Sequence, residues 1–390
     1  MTLSTQTDRP SAAPSPGADP RAPLVRPILP GDPAAALLSR AAIIVPFHNA
    51  ARTLGDCLAP LTECAELGAE LHVVDDLSVD GSVEVTRRFP AARLHLRESR
   101  GSSGGARNTA ALATRRELLI FVDADVVVPV QAVVTMLRML AERQCDAVIG
   151  CYGEDHDHVG LISQYKNLWI RRTYLKSPRR PRWFWTAFCG VRRDAFLGVG
   201  GFNESYEDAR GGVDFEFGWR LSEAGGLIRL ETGLLCRHLK RFTLRELLFN
   251  DMIRARGYVI QALSLRGRSP IRPNRFANVR LSHLLSGVAA VAVLAAWALA
   301  LAGASGAPVP PGVAERAALG SLLAWLALQS RFLAYFAGVR GPLGAAAVLP
   351  VLFLDELFSL MGVALGLAAY LSGERAPFGG GFAPRGAGSD

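Results

Sequence analysis

Paired cysteines are missing from this chain. Its 390 residues hold six, Cys57, Cys64, Cys145, Cys151, Cys189 and Cys236, and no two form a CxxC pair. That excludes a zinc ribbon or a disulfide scaffold and points to a reducing compartment. The glycine-rich stretch Gly101–Asn108 has neither the GxGxxG nor the GKS/T spacing, so a dinucleotide fold and a P-loop are both disfavoured. There is no Gly-X-Y repeat, and half of the residues are hydrophobic, which excludes collagen and a largely disordered chain. Met1–Pro23 holds several charges and no apolar run, unlike a secretory signal. One excess is plain, a net charge of +8. It suits nucleic acid, an anionic membrane or phosphorylated substrates, so other features must choose.

Residues 1–38, rich in Pro, Ala, Ser and Asp, carry no periodicity and are expected to form a flexible tail. From about 39 to 240 short apolar runs alternate with amphipathic stretches. The runs are Ala42–Val45, Leu71–Val74, Leu94–Leu96, Leu118–Val122 and Ala147–Ile149. Helix-like spacing fills Ala51–Leu67, Ser82–Phe89, Gly105–Arg115 and Val130–Arg143. Runs apolar on both faces, separated by helices, predict an α/β domain with a covered parallel sheet. Such sheets bind ligands beyond the C-terminal ends of their strands.

Beyond this domain, 241–280 reads as an amphipathic juxtamembrane segment, with Phe242–Leu265 able to lie on a bilayer as a collar. Residues 281–373 read as a transmembrane region of about three helices, followed by a flexible tail, 374–390. No charge occurs from Leu281 to Ala314, and Leu285–Ala304 is long enough to span. Ala317–Val339 carries Arg331, and Leu343–Leu371 carries Asp355 and Glu356. Ionisable groups in lipid need a partner, so Arg331 is expected to pair with one of these acids. An interfacial Gly341–Leu354 is the alternative. Arg266, Arg268, Arg272, Arg275 and Arg280 crowd the approach to the first span, which predicts a cytoplasmic catalytic domain at the inner membrane. Three spans would leave the Gly-rich tail outside.

The polar residues that follow the runs are the candidates for chemistry. In Val73–Ser82 (VVDDLSVDGS) Asp75 and Asp76 suit either hydrogen bonds to a nucleotide or capping, while Asp80 and Ser82 suit helix capping. Asp123 and Asp125 follow the fourth run two residues apart. Leaving a hydrophobic strand, residues two apart point to one side, so Asp123 and Asp125 are expected to converge on one point above the sheet, where hard carboxylate oxygens suit Mg²⁺ or Mn²⁺; a solvated turn is the commoner role of DxD. Arg107 suits a base or phosphate, or an exposed first helical turn. Asp214 and Glu216 suit capping of the helix beginning near Gly212.

Taken in order, PFHNA (46–50), VVDDLSVDGS (73–82), GGARNTA (104–110), DAD (123–125), GVGGFNE (198–204) and GVDFEFGWRLSEAG (212–225) resemble family 2 glycosyltransferases of the GT-A fold. The resemblance covers about residues 41–240 and implies transfer of a sugar from a nucleotide-diphosphate donor, with inversion. It implies that Pro46 and Asp76 line the nucleoside pocket with Arg107 nearby. Asp123 would contact ribose or metal, Asp125 would hold Mg²⁺ or Mn²⁺, and Asp214 would be the catalytic base. His238 stands where some members place a third metal ligand; a structural histidine is the alternative. Val213 departs from the family's usual Glu before Asp, with Glu207–Asp208 as a competing pair. His48 replaces a common aromatic residue. The QxxRW pattern of processive synthases is absent from Asp251–Gln261.

Basic stretches at Lys166–Arg182 and Arg237–Arg256 interleave with Trp169, Tyr174, Trp183 and Trp185. Beside a membrane anchor they favour lipid headgroups or a lipid-linked phosphate over nucleic acid. The expected protein is therefore a membrane-anchored hexosyltransferase-like enzyme whose acceptor is a lipid-linked saccharide or glycolipid. A processive polysaccharide synthase and a silent nucleotide-sugar-binding protein are the alternatives.

Overall fold

The computed structural model describes residues 32–99, 101–156, 158–206, 212–265, 281–304 and 312–378. The outer part of the N-terminal tail, the Glu207–Asp208 pair, the arginines between 266 and 280, and most of the Gly-rich tail lie outside the described residues. The last residues of the expected tail, 1–38, are structured. Residues Pro33–Leu38 form helix α1, because Asp32 accepts from Ala34 N–H at 2.9 Å and proline suits the first helical turn. Leu38 is fully buried.

One eight-stranded sheet follows, with strand order β3-β2-β1-β4-β7-β6-β8-β5. Strands β1 (Ala41–Phe47), β2 (Glu70–Asp75), β3 (Ala92–Leu96) and β4 (Leu118–Val122) are parallel and fulfil four of the apolar runs. The helices between them are α2 (Leu54–Glu66), α3 (Ser82–Arg87) and α4 (Ser103–Ala113). β1 and β4 are buried at every position, as a sheet covered on both faces requires. Next come β5 (Val126–Val127), α5 (Val130–Ala141), β6 (Ala147–His156), α6 (Leu161–Leu175), β7 (Phe188–Arg192), α7 (Arg193–Gly198), α8 (Val213–Glu223) and β8 (Ile228–His238). β7 runs antiparallel between β4 and β6, so the sheet is mixed. Its five residues, interrupted by Gly190 and running straight into α7, carry no periodic signal from which to infer a strand.

Helix α9 (Leu244–Ser264) opens on a capping box between Thr243 and Glu246. It lies between the α/β domain and the last helix rather than standing alone as a collar. Three helices are long and apolar enough to cross a membrane: α10 (Leu281–Ala304), α11 (Val313–Ala347) and α12 (Leu349–Leu371). α11 kinks at Gly341 (φ 77°, ψ 166°), ahead of Pro342. The expected ion pair of Arg331 with an acid of the third helix does not form. Arg331 is exposed, Asp355 accepts from Tyr165 Oη at 2.6 Å, and Glu356 accepts from Trp325 Nε1 and Gln329 Nε2 at 2.6 and 2.7 Å. Both acids are bonded to neutral donors on neighbouring helices, and the buried Asp355 Oδ1 has no hydrogen-bond partner among the described residues.

Candidate active site

Two loops at the C-terminal ends of β1 and β2 are tied together. Asn49 adopts φ 52° and accepts from Val79 N–H at 2.8 Å, while Ala50 N–H donates to Ser82 Oγ at 2.8 Å. Asp80 accepts from Ala51 and Ser82 N–H, and Asp75 accepts from Ser78 N–H at 2.9 Å. These side chains are scaffold. Asp76, which lines the main cavity as Asn49 and Asp80 do, instead turns its carboxylate to Arg97 Nη1 at 2.5 Å. Arg97 is absent from the sequence-based candidates, because the chain leaving β3 carries no motif.

Asp123 and Asp125 do not continue a strand. Val126 N–H donates to Asp123 C=O at 3.0 Å, which closes a turn, so the alternation argument does not apply. Asp123 accepts from Arg107 Nη2 at 2.6 Å, and Arg107 is buried rather than exposed on its helix. Asp125 instead faces His238, whose Nε2 is 3.7 Å from its carboxylate. Pairing of β5 with β8 sets Val126 opposite His238, and Leu239 N–H donates to Asp125 C=O at 2.7 Å. His238 stacks on Tyr152 at 4.4 Å and 7°, and its buried Nδ1 has no hydrogen-bond partner among the described residues. Burial raises the Asp125 carboxyl, but His238 and then Lys240 more than offset that and hold it below the usual range.

Asp214 sits in the first turn of α8 and does not cap it by side chain; the carboxylate accepts from the adjacent Phe215 N–H at 3.0 Å. Burial pushes it up to about 6, opposed by Arg107 and Arg254. Glu216, fully buried, makes a two-pronged pair with Arg220 at 2.6 and 2.8 Å. Arg220 also donates to the carbonyls of Val199 and Gly201. Across α4, Asn108 donates to Phe202 C=O and Glu204. A Cβ at Gly104 would lie 2.8 Å from Val213, so glycine is what lets α4 approach α8. Val213, in place of the usual Glu, fills that contact.

All seven sequence candidates, Pro46, Asp76, Arg107, Asp123, Asp125, Asp214 and His238, line one cavity of about 1560 Å³. Lys240, Arg241, Arg254 and Tyr258 line it too, and it continues to Leu284 of α10 and Ser359, Leu360 and Val363 of α12. Arg254 was legible only as part of a segment lacking QxxRW. The basic stretch on α6 is largely consumed internally: Lys166 pairs with Asp251 at 2.5 Å and Arg171 with Glu154 at 3.3 Å. Trp183 belongs to the core. Among the described residues no three His, Cys, Asp or Glu side chains cluster closely enough to hold a metal. Asp125 and His238 offer two donors of suitable chemistry, the latter with an orphaned ring nitrogen.

Residues 42–198 match the family described as glycosyl transferase family 2. Two glycosyltransferases of Streptococcus pneumoniae serotype 4 are 27% identical: GlyG over 114 residues, 28% of this chain and 38% of the relative, and GlyA over 123 residues, 31% and 18%. The matches thus span well under half of each relative. Among solved structures, the mannosyltransferase PcManGT of Pyrobaculum calidifontis, in complex with GDP-Man and Mn²⁺, is 18% identical, with 86% of this chain and 88% of that one covered at a TM-score of 0.49. TarS of S. aureus is 16% identical over 86% and 92%, at 0.39.

Proposed function

We propose that this chain, whose residues 42–198 match glycosyl transferase family 2, is a family 2 glycosyltransferase of the GT-A fold that moves a sugar from a nucleotide-diphosphate donor to a hydroxyl of a lipid-linked saccharide or glycolipid. The reaction is a single inverting addition, hexosyl in type, at the cytoplasmic face of the inner membrane. The observation that carries this reading is the continuity of the cavity. One space joins the carboxylates of Asp76, Asp123, Asp125 and Asp214 to apolar residues of two helices long enough to span.

The nucleoside would lie against Pro46 and Asp76, with Arg97 fixing the acid and Arg107 holding Asp123 beside the ribose. Asp125 with His238, and Asp123 if it leaves Arg107, would hold Mg²⁺ or Mn²⁺. When bound, such an ion supplies Lewis-acid stabilisation of the departing diphosphate. Asp214 takes the proton from the acceptor hydroxyl. A base poised at about 6 is ionised at neutral pH yet retains proton affinity, which is the compromise general-base catalysis needs. One base and no second carboxylate in the role of nucleophile give inversion. Lys240, Arg241 and Arg254 offer positive charge on the way from Asp214 to the apolar helices, which suits an acceptor carrying phosphate.

The test uses the full chain in native membranes with radiolabelled nucleotide sugars. Label should move into material extractable by organic solvent, as one product rather than a ladder. Label that stays in water-soluble product overturns the lipid acceptor, and a ladder overturns single addition.

A further inference from the structure

Three helices qualify by length and composition to span, yet their packing gives them different roles. α9 rests on the α/β domain along its whole length. Near its start Phe242 N–H donates to Ser163 Oγ at 2.9 Å; about two turns into the helix, Asp251 pairs with Lys166. Further along, Tyr258 meets the Phe215 ring at 5.0 Å, Gln261 packs on Gly212, and Leu265 is buried in the domain core. α12 runs parallel to α9 and in step with it. Phe358 meets Phe249 at 5.8 Å, and Gly362 and Gly366 lie against the carbonyls of Met252 and Arg256, where a Cβ would come within 2.2 and 2.7 Å. After α12 ends, Glu374 pairs with Arg256 at 2.5 Å and Ala376 N–H donates to Ser264 Oγ. Pro377 C=O accepts from Asn203, and Phe378 packs on Trp219 and Tyr206.

Both ends of α12 are therefore at the α/β domain. Were α12 to cross a bilayer, α9 would cross beside it and draw Phe215 and Gly212 into lipid. We infer that α10 and α11 alone cross, as a helical hairpin, and that α12 lies flat in the leaflet beside α9, with residues 372–378 on the same side of the membrane as the catalytic domain. This holds whatever sugar is moved.

The lengths agree. α10 beyond Gly287, which touches α12 at Leu360, extends for ~27 Å, and α11 from Val313 to Arg331 for ~28 Å, close to a ~30 Å hydrocarbon core. With only 305–312 between them, two helices that pack together must run antiparallel. From Phe332 onward α11 is back at the domain: Phe332 meets Tyr165, and Arg340 donates to Glu154 C=O. Arg331 then falls at the membrane boundary, where a long cation reaches water. The outer face of α12, Met361, Ala364, Leu365, Ala368 and Leu371, follows helical spacing and is exposed and apolar. Phe249 and Ile253 of α9 are exposed too. Continuity with the spanning hairpin makes the lipid leaflet the occupant of this platform.

Native cysteines are all buried, so single introduced thiols can be read in the full chain. With a membrane-impermeant maleimide on sealed vesicles of each orientation, Ser372→Cys should react from the same face as Glu98→Cys, and Glu315→Cys from the opposite one. Reaction of Ser372→Cys together with Glu315→Cys overturns the inference. If Ser372→Cys is shielded from both faces, the pair Ser264→Cys/Ala376→Cys decides, since Ala376 N–H reaches Ser264 Oγ at 3.1 Å: disulfide formation on oxidation in the membrane supports it, and none refutes it. Bimane on Met361→Cys, Leu365→Cys, Ala368→Cys and Leu371→Cys should show one uniform ratio of quenching by phosphatidylcholine spin-labelled near the headgroup or near the chain end. A crossing helix would sink by ~15 Å over these positions and give a steady gradient. No quenching from either label would mean a protein partner, such as a second copy, and would overturn the lipid occupant.

Discussion

The two sides of the cavity are built differently. On the side formed by β1, β2 and β4, nearly every polar group that faces inward is already engaged: Asp76 with Arg97, Asp123 with Arg107, and the loops after β1 and β2 with one another. On the side formed by α8, α9 and the strand end at His238, Asp251 is locked to Lys166, but Asp214 and Arg254 face the cavity without such a lock among the described contacts. Asp214 bonds only its neighbour's N–H among the described contacts, and Arg254 acts on it through space. A wall whose polar groups are already fixed loses little entropy of its own in receiving a nucleotide. The other wall must admit a large acceptor and hold a proton-accepting group ready, and there mobility is tolerable.

The largest effect that can sharpen this contrast is loss of the base. Asp214→Asn should lower kcat by about 10²–10⁴ with donor affinity unchanged, measured by turnover and by thermal shift with nucleotide sugars. Equal turnover would break the contrast outright, and donor hydrolysis at background in the native chain would revive the silent binder. Next is Arg97→Ala, which strips a partly buried carboxylate of its partner. It should cost about 1.5–3 kcal/mol of stability, read as a fall in Tm, together with weaker donor binding. Arg254→Gln should leave Tm and donor affinity in place and raise the acceptor KM by roughly 10-fold; a matching loss of donor affinity would mean the two walls are not separable. The smallest effect is a pH profile. Because Asp214 is raised to about 6 and must be ionised to act, kcat/KM should fall tenfold per pH unit below about 6 and be flat above it. Donor binding should not follow that limb.

How much of this could be read from the sequence divides along the same line. The parallel strands and their helices were legible because burial on both faces writes itself as unbroken apolar runs. Helix α4 and the carboxylates after β4 stood out for the same reason, being anchored to such runs. What pairs with each acid was not legible. The turn at Asp123–Val126, the Arg97 partner and the register of β5 on β8 are all set by contacts between segments distant in sequence. The antiparallel β7, no shorter than β3 or β4, gave no signal because Gly190 interrupts its apolar run and it passes straight into α7. Composition marked the apolar helices well but is silent on direction, since Gly362 and Gly366 read as helix-weakening residues until the carbonyls of α9 are seen against them.

One clamp described above reaches further than its position suggests. Arg220 holds the carbonyls of Val199 and Gly201 while bound to Glu216, on the same helix as Asp214. Gly201 has φ +65°, and a methyl there would press on Asn108 at 2.8 Å. In an unbiased screen for inactive alleles, changes at 201 or 220 would therefore score beside those at the reacting carboxylates, although neither residue lines the chamber where substrates meet. A map of such alleles would trace the bracket that aims the base.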